Sequence, residues 1–432
     1  MGALAGHLAH MQENLDFTFG ELKSVVGSVV SGETPVLEKV DGQNIFFKFT
    51  VDLDTGSVRT ARNKGNLMKG GMSPDEFTAK WVGHPAEGAF VNGFKAIESA
   101  LDQLDPASLE SIFEPSSEGG QRYINAEIVY TGKPNVINYG GDYIVMHNLQ
   151  EFSPEGKLDD VQLSGGDFQQ LVSGVEAAQA EQDDDSWSVV GPQVLELRDM
   201  SGEQFVQDFY SDLDALGVTD SMSIADYVED QLRQSVVGDL PIPVNKQEDL
   251  IKRIIGIGRK LNADEYPSLA DIKSGTGREV GTQISAIGTK ANAGKAIGRM
   301  TKPIELAIHD LAIEVLRGVA SALTGDHDAE IKRLKAELES AKSAIESARD
   351  AGSDARREML KTQLDKLGSS DNIASSAEGI VFEHPPGSKA LYKLTGAFAP
   401  LNQIIGAAMR IPQEKNEALV REYVREFIGG SF

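Results

Sequence analysis

The heptapeptide EKVDGQN, residues 38–44, lies between two apolar runs, PVL before it and IFFKF after it. Apolar runs rich in branched and aromatic residues predict strands, and a glycine between them predicts a tight turn. The segment therefore places Lys39 at the end of a strand, directly beside a glycine turn. A lysine attacks as a nucleophile only when its amine is neutral, and its ordinary pKa of about 10.4 keeps it charged at neutral pH.

Covalent chemistry at Lys39 requires a protein environment that favours the neutral amine. A decrease of about 3 pKa units corresponds to about 4 kcal/mol. Burial between strands and a nearby cation both act in that direction. Gly42 would let a phosphate approach the backbone. A hairpin with a surface lysine would show the same KxDG string, so the string alone leaves both interpretations open.

Composition limits the other classes of function. The chain has 432 residues, is 40% hydrophobic and contains no cysteine, which allows a large core and excludes disulfides, thiolate metal sites and a cysteine nucleophile. The start, MGALAGHLAHMQENLDF, has no basic region followed by a long apolar segment. No run of about 18 apolar residues predicts a membrane span. We therefore expect a soluble cytoplasmic protein, in the host cytoplasm if a phage encodes it.

Charge is distributed unevenly along the chain. The net charge of −25 argues against a protein that simply coats nucleic acid. Acids are dense over residues 176–239, whereas lysine and arginine dominate residues 246–302, which are also rich in glycine. The basic stretch has two interpretations: a solvated, partly mobile surface or a flexible arm that binds phosphates.

The pattern of elements predicts an α+β protein with an interruption. Strand patterns occupy much of residues 1–152 and return at residues 377–432, which also include a C-terminal helix. Residues 153–376 are mainly helical in pattern, and we expect them to form a separable insertion. A heptad seam over residues 329–348, followed by a break and a second helical run, predicts a helical hairpin within the insertion.

Five segments, in order, resemble the motifs of the covalent nucleotidyltransferases, which include ATP-dependent DNA and RNA ligases and mRNA capping enzymes. They are EKVDGQN, SVRTARNKG, INAEIVYTG with the following DYIVMHNL, EGIVF and ALYKLTG. Glu38 directly before the lysine resembles the RNA-ligase branch. The set HMQENLDF, EKVDGQN, EGIVF and YKLTGAFAPLNQIIG also resembles ligase-like proteins of large tailed phages that have no assigned activity. The resemblance covers about residues 1–152 and 377–405.

The resemblance implies a ligase-type core of antiparallel, ATP-grasp-like sheets and assigns roles to particular residues. Lys39 would take AMP from ATP, Glu378 and Glu127 would lie near Mg²⁺, and Lys393 would lie beside the α-phosphate. The arginine that contacts the nucleotide would be Arg62, with Arg59 as the alternative. The nucleotide site would also include residues from the first and third motif regions: Glu38, Asp41, Gly42, Glu127, and Met146 or His147 at the base.

The sequence departs from the family pattern in three places. No stacking aromatic stands at Met146 or His147, and the second lysine of the fifth motif is replaced by Thr395 or supplied by Lys389 in another register. Few residues follow Lys393 to form the C-terminal domain of many ligases.

We therefore expect a ligase-like nucleotidyltransferase acting on 5′-phosphorylated nucleic-acid ends, with RNA favoured over DNA. The alternative is a ligase-derived phage binding or structural protein that docks a protein partner through its acidic helical insertion.

Overall fold

The EKVDGQN segment connects two β-sheets. In the computed structural model, β2 (Val36–Lys39) ends at the lysine, and β3 (Gln43–Asp52) begins after the turn in the other sheet. The fold is α+β. The structure describes residues 9–40, 42–52, 55–115, 119–132, 141–154, 158–161, 166–180, 187–319, 332, 335, 336, 338–340, 378–385 and 391–396.

Among the described residues the first sheet has five strands, and most of its pairs are antiparallel. Its order is β1 (Ala9–His10), β11 (Leu391–Thr395), β10 (Gly379–Glu383), β2 and β9 (Val194–Leu195), with only β1 and β11 parallel. Leu37 lies opposite Val381, and Val381 lies opposite Lys393. Because paired residues and residues two apart along a strand share a face, Lys39 and Lys393 lie on the same face of this sheet.

The second sheet, as far as the structure describes the chain, has six strands and a bulge. Its main path is β4 (Thr55–Ala61), β3, β5 (Gln121–Val129), β6 (Tyr143–Phe152) and β7 (Leu158–Val161), while β8 (Ser188–Val190) pairs with β6 in parallel. Asn125 pairs with Asn148 and Ala126 pairs with Met146, which leaves His147 as the extra residue of the bulge. A bulge of this kind changes the direction in which a side chain points.

Helices pack on one face of the six-stranded sheet. The buried side chains between the helices and the sheet form what we call the α4 core. Buried side chains of β3, β5 and β6 pack there against four helices: α3 (Pro74–Trp81), α4 (Glu87–Leu101), α5 (Pro106–Phe113) and α6 (Gly166–Ala180). The short α2 (Lys64–Met68) contributes Leu67 to a separate small cluster with Phe46, Ala61, Tyr123 and Phe152.

A second and larger core, which we call the α1 core, lies against the five-stranded sheet. Its sheet residues are Val36, Leu195, Ile380, Phe382, Tyr392 and Leu394. Its helices are α1 (Phe19–Val30), α7 (Gln204–Asp214), α8 (Ile224–Gln234), α9 (Val244–Gly258), α10 (Leu269–Lys273), α11 (Arg278–Gly288), α12 (Lys290–Met300) and α13 (Lys302–Val319).

Local sequence signals fix where several of these helices begin. The Thr18 hydroxyl accepts a hydrogen bond from the Glu21 backbone N–H, while the Glu21 carboxylate accepts one from the Thr18 N–H. The same reciprocal pattern opens α3 at Ser73 and α8 at Ser223. Such capping boxes satisfy backbone donors that have no partner inside the helix.

The predicted boundary at residue 153, between the first part of the core and the helical insertion, does not match the way the chain packs. Strand β7, helix α6 and strand β8 belong with the six-stranded sheet, and β9 pairs with β2. Helices α7–α13 share a single core with α1 and the five-stranded sheet. Removal of residues 160–370 would therefore expose the apolar face of the sheet that carries Lys39, and we expect the deleted chain to lose its folded structure.

The basic stretch 246–302 is helical rather than an extended arm. Ile254, Ile284 and Ile297 of its helices are buried in the α1 core. Arg253 donates hydrogen bonds to two backbone carbonyls, and Lys246 donates to Ile272 O at 3.1 Å. Several of its charges thus stabilise the helices themselves.

Two other sequence predictions have little or no described structure. Nearly all of the predicted helical hairpin, except residues around Leu338, lies outside the described residues, and so does the C-terminal helix. Within the described part of the chain, no helix is long and apolar enough to cross a membrane.

Candidate functional site

The site is built around Lys39, at the point where the chain passes from one sheet to the other. Its ammonium forms an ion pair with the Glu378 carboxylate. Glu378 comes immediately before β10, the strand that pairs with β2, and its backbone carbonyl accepts a hydrogen bond from Gly396 N–H at 3.1 Å. Strand pairing thus brings together two residues that most of the chain separates.

Lys393 brings a second cation to the same face of the sheet. It is 6% exposed, and burial lowers its pKa, with the charge of Lys39 as the next cause. The carboxylates of Glu13 and Glu378 act in the opposite direction. Two neighbouring ammonium groups repel each other, so the pair favours either release of a proton or arrival of an anion.

The six-stranded sheet contributes Glu127 and His147. Glu127 Oε2 accepts a hydrogen bond from Gly42 N–H at 2.9 Å, and His147 Nε2 lies 4.0 Å from the same oxygen. Burial lowers the pKa of His147 to about 4, and the charge of Lys39 contributes in the same direction. His147 is therefore neutral at physiological pH.

These five residues form what we call the Lys39 cluster: Lys39, Glu127, His147, Glu378 and Lys393. The side chains of Lys39 and Glu378 are 17% and 22% exposed, and those of His147 and Glu127 are 24% and 20% exposed. They are shielded enough for charges to interact strongly, yet open enough to contact a ligand.

Two glycines allow the backbones to approach each other at the cluster. A Cβ added to Gly42 would lie 2.8 Å from Ile128 O, and one added to Gly379 would lie 2.1 Å from Leu394 O. Both obstacles are backbone atoms of the adjacent strand, so a side chain at either position would displace a strand. The glycines of EKVDG and EGIVF thus have a packing role in addition to any contact with a ligand.

The two candidate arginines occupy different surroundings. The Arg62 guanidinium lies over the Phe90 ring at 4.5 Å; burial lowers its pKa, while the charge of Glu127 acts in the opposite direction. Arg59 lies opposite Lys48, on the neighbouring strand β3. The positive charge of Arg59 acts to lower the pKa of Glu76 and that of Tyr123. Arg62 thus interacts electrostatically with Glu127 of the Lys39 cluster.

Two other predicted site residues, Glu38 and Met146, do not join the cluster. Glu38 is 2% exposed and pairs with Ile380, a residue of the α1 core, so it lies on the opposite face of β2 from Lys39. Met146 is buried in the α4 core, whereas the adjacent His147 belongs to the Lys39 cluster. Asp41 and Lys389 lie outside the described residues.

The alternation of side chains along β2 would have signalled the position of Glu38, because it shares a face with the apolar Val36.

Among the described residues, no group of three or more acidic or histidine side chains is arranged to hold a metal ion. The carboxylates that could contribute oxygen ligands in the cluster are Glu127 and Glu378.

Comparisons of the chain with protein-family models, with curated proteins and with solved structures find no match.

Proposed function

We propose that the protein is a ligase-type covalent nucleotidyltransferase in which Lys39 accepts AMP from ATP. The observation that carries the proposal is the convergence of the motif residues. Lys39, Glu378 and Lys393 come from adjacent segments of one sheet, and Glu127 and His147 come from the other. Motifs that matched the family by chance would have no physical reason to meet at one place.

The Lys39 cluster offers Lys39 a proton acceptor and a neighbouring cation. The Glu378 carboxylate contacts the ammonium and can accept its proton. The buried charge of Lys393 disfavours a second ammonium beside it. An α-phosphate placed between the two lysines would be held by one cation while the other, as a neutral amine, attacks.

The transfer step balances without an added oxidant or reductant. The ammonium of Lys39 first loses one proton to Glu378 or to water, which frees the lone pair. The lone pair of Lys39 Nζ forms a bond to the α-phosphorus, and the bond from that phosphorus to the bridging oxygen of the β-phosphate breaks. Pyrophosphate leaves with the bonding electrons, and the nitrogen, now bonded to phosphorus, loses a second proton to water. The product is a phosphoramidate, in which the AMP remains activated for transfer to an acceptor.

The donor set fits the Mg²⁺ that the family uses. Glu127 and Glu378 offer carboxylate oxygens, and Mg²⁺ commonly binds one or two carboxylates together with substrate phosphates. When bound, the ion would neutralise phosphate charge during the displacement. Gly42 N–H holds the Glu127 carboxylate in place at 2.9 Å, so the chain itself orients this ligand.

For the acceptor we propose a 5′-phosphorylated nucleic-acid end, with RNA favoured over DNA. AMP would pass to the terminal phosphate, and a 3′-hydroxyl would then displace AMP. The net charge of −25 requires the acceptor to be held by local cations rather than by the protein as a whole.

A cleft between α7 and α13 favours a second function, the docking of a protein partner. It has a volume of about 600 Å³, and its lining includes Asp208, Asp212, Asp310 and Glu314. Acidic walls with apolar residues beneath them suit a basic segment of another protein. Under this alternative, a ligase-derived core would serve as a structural or binding protein, without chemistry at Lys39.

Incubation with Mg²⁺ and α-labelled ATP, followed by a denaturing gel, separates the two functions. We expect the wild-type protein to gain an acid-labile, alkali-stable label. Lys39→Ala should gain none, whereas Lys95→Ala, which removes an exposed lysine of α4, should label normally. Equal labelling of the wild type and Lys39→Ala would overturn the assignment, and absence of label in all three proteins would favour the docking function.

A further inference from the structure

A second group of cations lies beside the Lys39 cluster, next to a pair of stacked aromatic rings. Trp81 and Phe90 stack with their ring centroids 3.8 Å apart and their planes 19° apart. The Arg62 guanidinium lies 4.5 Å from the Phe90 centroid and 6.0 Å from that of Trp81. The Lys80 ammonium lies 5.3 Å from the Trp81 centroid. Two cations thus share one aromatic support.

Neither cation has a carboxylate at ion-pair distance among the residues that the structure describes. The hydrogen bond that involves Arg62 comes from its backbone N–H, which donates to Asn66 Oδ1 at 3.4 Å. The guanidinium therefore keeps its N–H donors available on a side chain that is held in place by aromatic contacts. Burial lowers the pKa of both groups, and the charge of Arg62 lowers that of Lys80 further.

We propose that Arg62 and Lys80 together form a binding site for a phosphate dianion. A planar guanidinium binds two oxygens of a phosphate at once, and an ammonium adds a compact charge to a third. A phosphate monoester carries nearly two negative charges at neutral pH, which matches two cations that otherwise repel each other. The aromatic stack fixes the cations before the ligand arrives, so little side-chain freedom is lost on binding.

The position of this site indicates what it would do. The charge of Glu127 acts on Arg62, which places the site on the six-stranded-sheet side of the Lys39 cluster. Lys39 and Lys393 lie on the five-stranded sheet, so the two pairs of cations could hold two different phosphates. The dianion would then be the terminal phosphate of the acceptor or the far end of the triphosphate. This last assignment rests on the proposed function, whereas the anion site itself does not.

Titration calorimetry with inorganic phosphate tests the site directly. We expect saturable binding that weakens at least about tenfold in Lys80→Gln and in Arg62→Gln, because each loses a charged hydrogen-bond partner. Lys95→Gln removes the same charge from an exposed position on α4 and should bind as the wild type does. Lys80 is itself exposed, so its substitution leaves the core intact. Circular dichroism of each variant checks folding.

Tryptophan fluorescence locates the bound anion. The chain has two tryptophans, and the other one, Trp187, stacks on Tyr130. In a Trp187→Phe background, phosphate should change the emission of Trp81 over the same concentration range that calorimetry gives. Phosphate that binds without this change lies elsewhere and overturns the proposal.

The source of the phosphate is found by comparing ligands in the same titration. A stronger effect of Lys80→Gln on a 5′-phosphorylated oligonucleotide than on its 5′-hydroxyl form identifies the acceptor. A stronger effect on ATP than on AMP identifies the triphosphate. Absence of phosphate binding to the wild type, or equal binding to wild type, Lys80→Gln and Arg62→Gln, refutes the site. Lys39→Ala should retain it, so its failure is distinguishable from failure of the nucleotidyl transfer.

Discussion

Substitution of Gly42 by alanine tests whether the close contact of two strands positions Lys39. The new Cβ would lie 2.8 Å from Ile128 O and 3.1 Å from Glu127 Cβ. The nearest obstacle is a backbone carbonyl, which cannot rotate out of the way. To reach ordinary contact distance, the turn must move away from β5 by roughly 0.6 Å.

This displacement should lower the free energy of unfolding. The Gly42 N–H bond to Glu127 Oε2, at 2.9 Å, would lengthen to the limit of a hydrogen bond. Crowding of a packed site costs about 1–3 kcal/mol, and loss of a hydrogen bond to a charged group costs about 1.5–3 kcal/mol. The two costs overlap, because movement that relieves the first causes the second. We therefore expect a loss of about 2 kcal/mol in the free energy of unfolding.

Two measurements check this expectation. The urea midpoint should fall without a change in slope, as it does when stability alone decreases. The rate at which Lys39 gains label from ATP should fall at least about tenfold, since small misplacements of reacting groups are costly. Gly294→Ala is the matched control, because its added Cβ meets nothing within 4 Å. Gly294 lies inside α12, so this change should stabilise the helix by about 0.5–1 kcal/mol.

If Gly42→Ala behaves like Gly294→Ala, the close contact at Gly42 does not position Lys39. An unchanged urea midpoint would mean that the turn and β5 are farther apart than the structure places them. A lowered midpoint with a normal labelling rate would separate stability from catalysis and show that Lys39 does not depend on the turn for its position.

Three further substitutions test the Lys39 cluster. Glu378→Gln should slow labelling about 100-fold, since it removes the group that accepts the Lys39 proton, while Glu383→Gln at the far end of the adjoining strand β10 should not; equal rates in a single-turnover assay would contradict this role. Lys393→Met should abolish labelling and yet be about 1 kcal/mol more stable at pH 7, because the buried cation is costly. A lysine with a lowered folded pKa binds fewer protons folded than unfolded, so wild-type stability rises with pH in that window and the advantage of Lys393→Met in urea should shrink towards pH 10. His147 has a folded pKa of about 4 against an unfolded value of 6.5, so its contribution is present above pH 6.5 and is lost as pH falls towards 4. His147→Gln should therefore lose about 2 kcal/mol less than the wild type over that range, and parallel pH–stability curves would refute the shift.

Much of the sheet structure follows from local sequence signals. The apolar runs predicted as strands on either side of EKVDGQN correspond to β2 and β3, and the strand patterns of residues 1–152 and 377–432 correspond to β4–β6, β10 and β11. Turn residues and apolar runs are short-range features, so a single sequence carries them. The start of the chain is different: LAHMQENLDF has an amphipathic pattern, yet its described part forms β1 and a short 3₁₀ helix, Met11–Glu13.

Long-range pairing could not be derived in the same way. Strand β1 is only two residues long, and it exists because it lies parallel to β11 at the far end of the sequence. Strand β8 has three residues and β9 has two, and they depend on pairing with β6 and β2 respectively. The glycines of the basic stretch, residues 246–302, favour a partly mobile surface or a flexible arm. Its isoleucines and alanines instead bury one face of each helix, and this packing outweighs the low helix propensity of glycine.

The site residues show the same difference between local sequence signals and long-range contacts. The motif order predicted that Lys39, Glu127, Glu378 and Lys393 belong to one site, since each has a recognisable position relative to a predicted strand, and the structure places the four in the Lys39 cluster. Lys80 belongs to no motif, and only the packing of α3 against α4 brings it near Arg62. The bulge that distinguishes His147 from Met146 also has no clear local signal, because it arises from the register of β6 against β5.

The pairing of β2 with β10 has a consequence for the order of events during synthesis. Until residues 379–383 leave the ribosome, β2 has only the short β9 beside it in the five-stranded sheet. The partner of Lys39 and the strand that carries Lys393 are both made after α13, once the long helical segment has emerged. Contacts so distant in sequence close slowly. The nascent chain therefore carries Lys39 early but receives Glu378 and Lys393 late, so the two charged neighbours that the proposed function assigns to Lys39 are missing until most of the chain has been made.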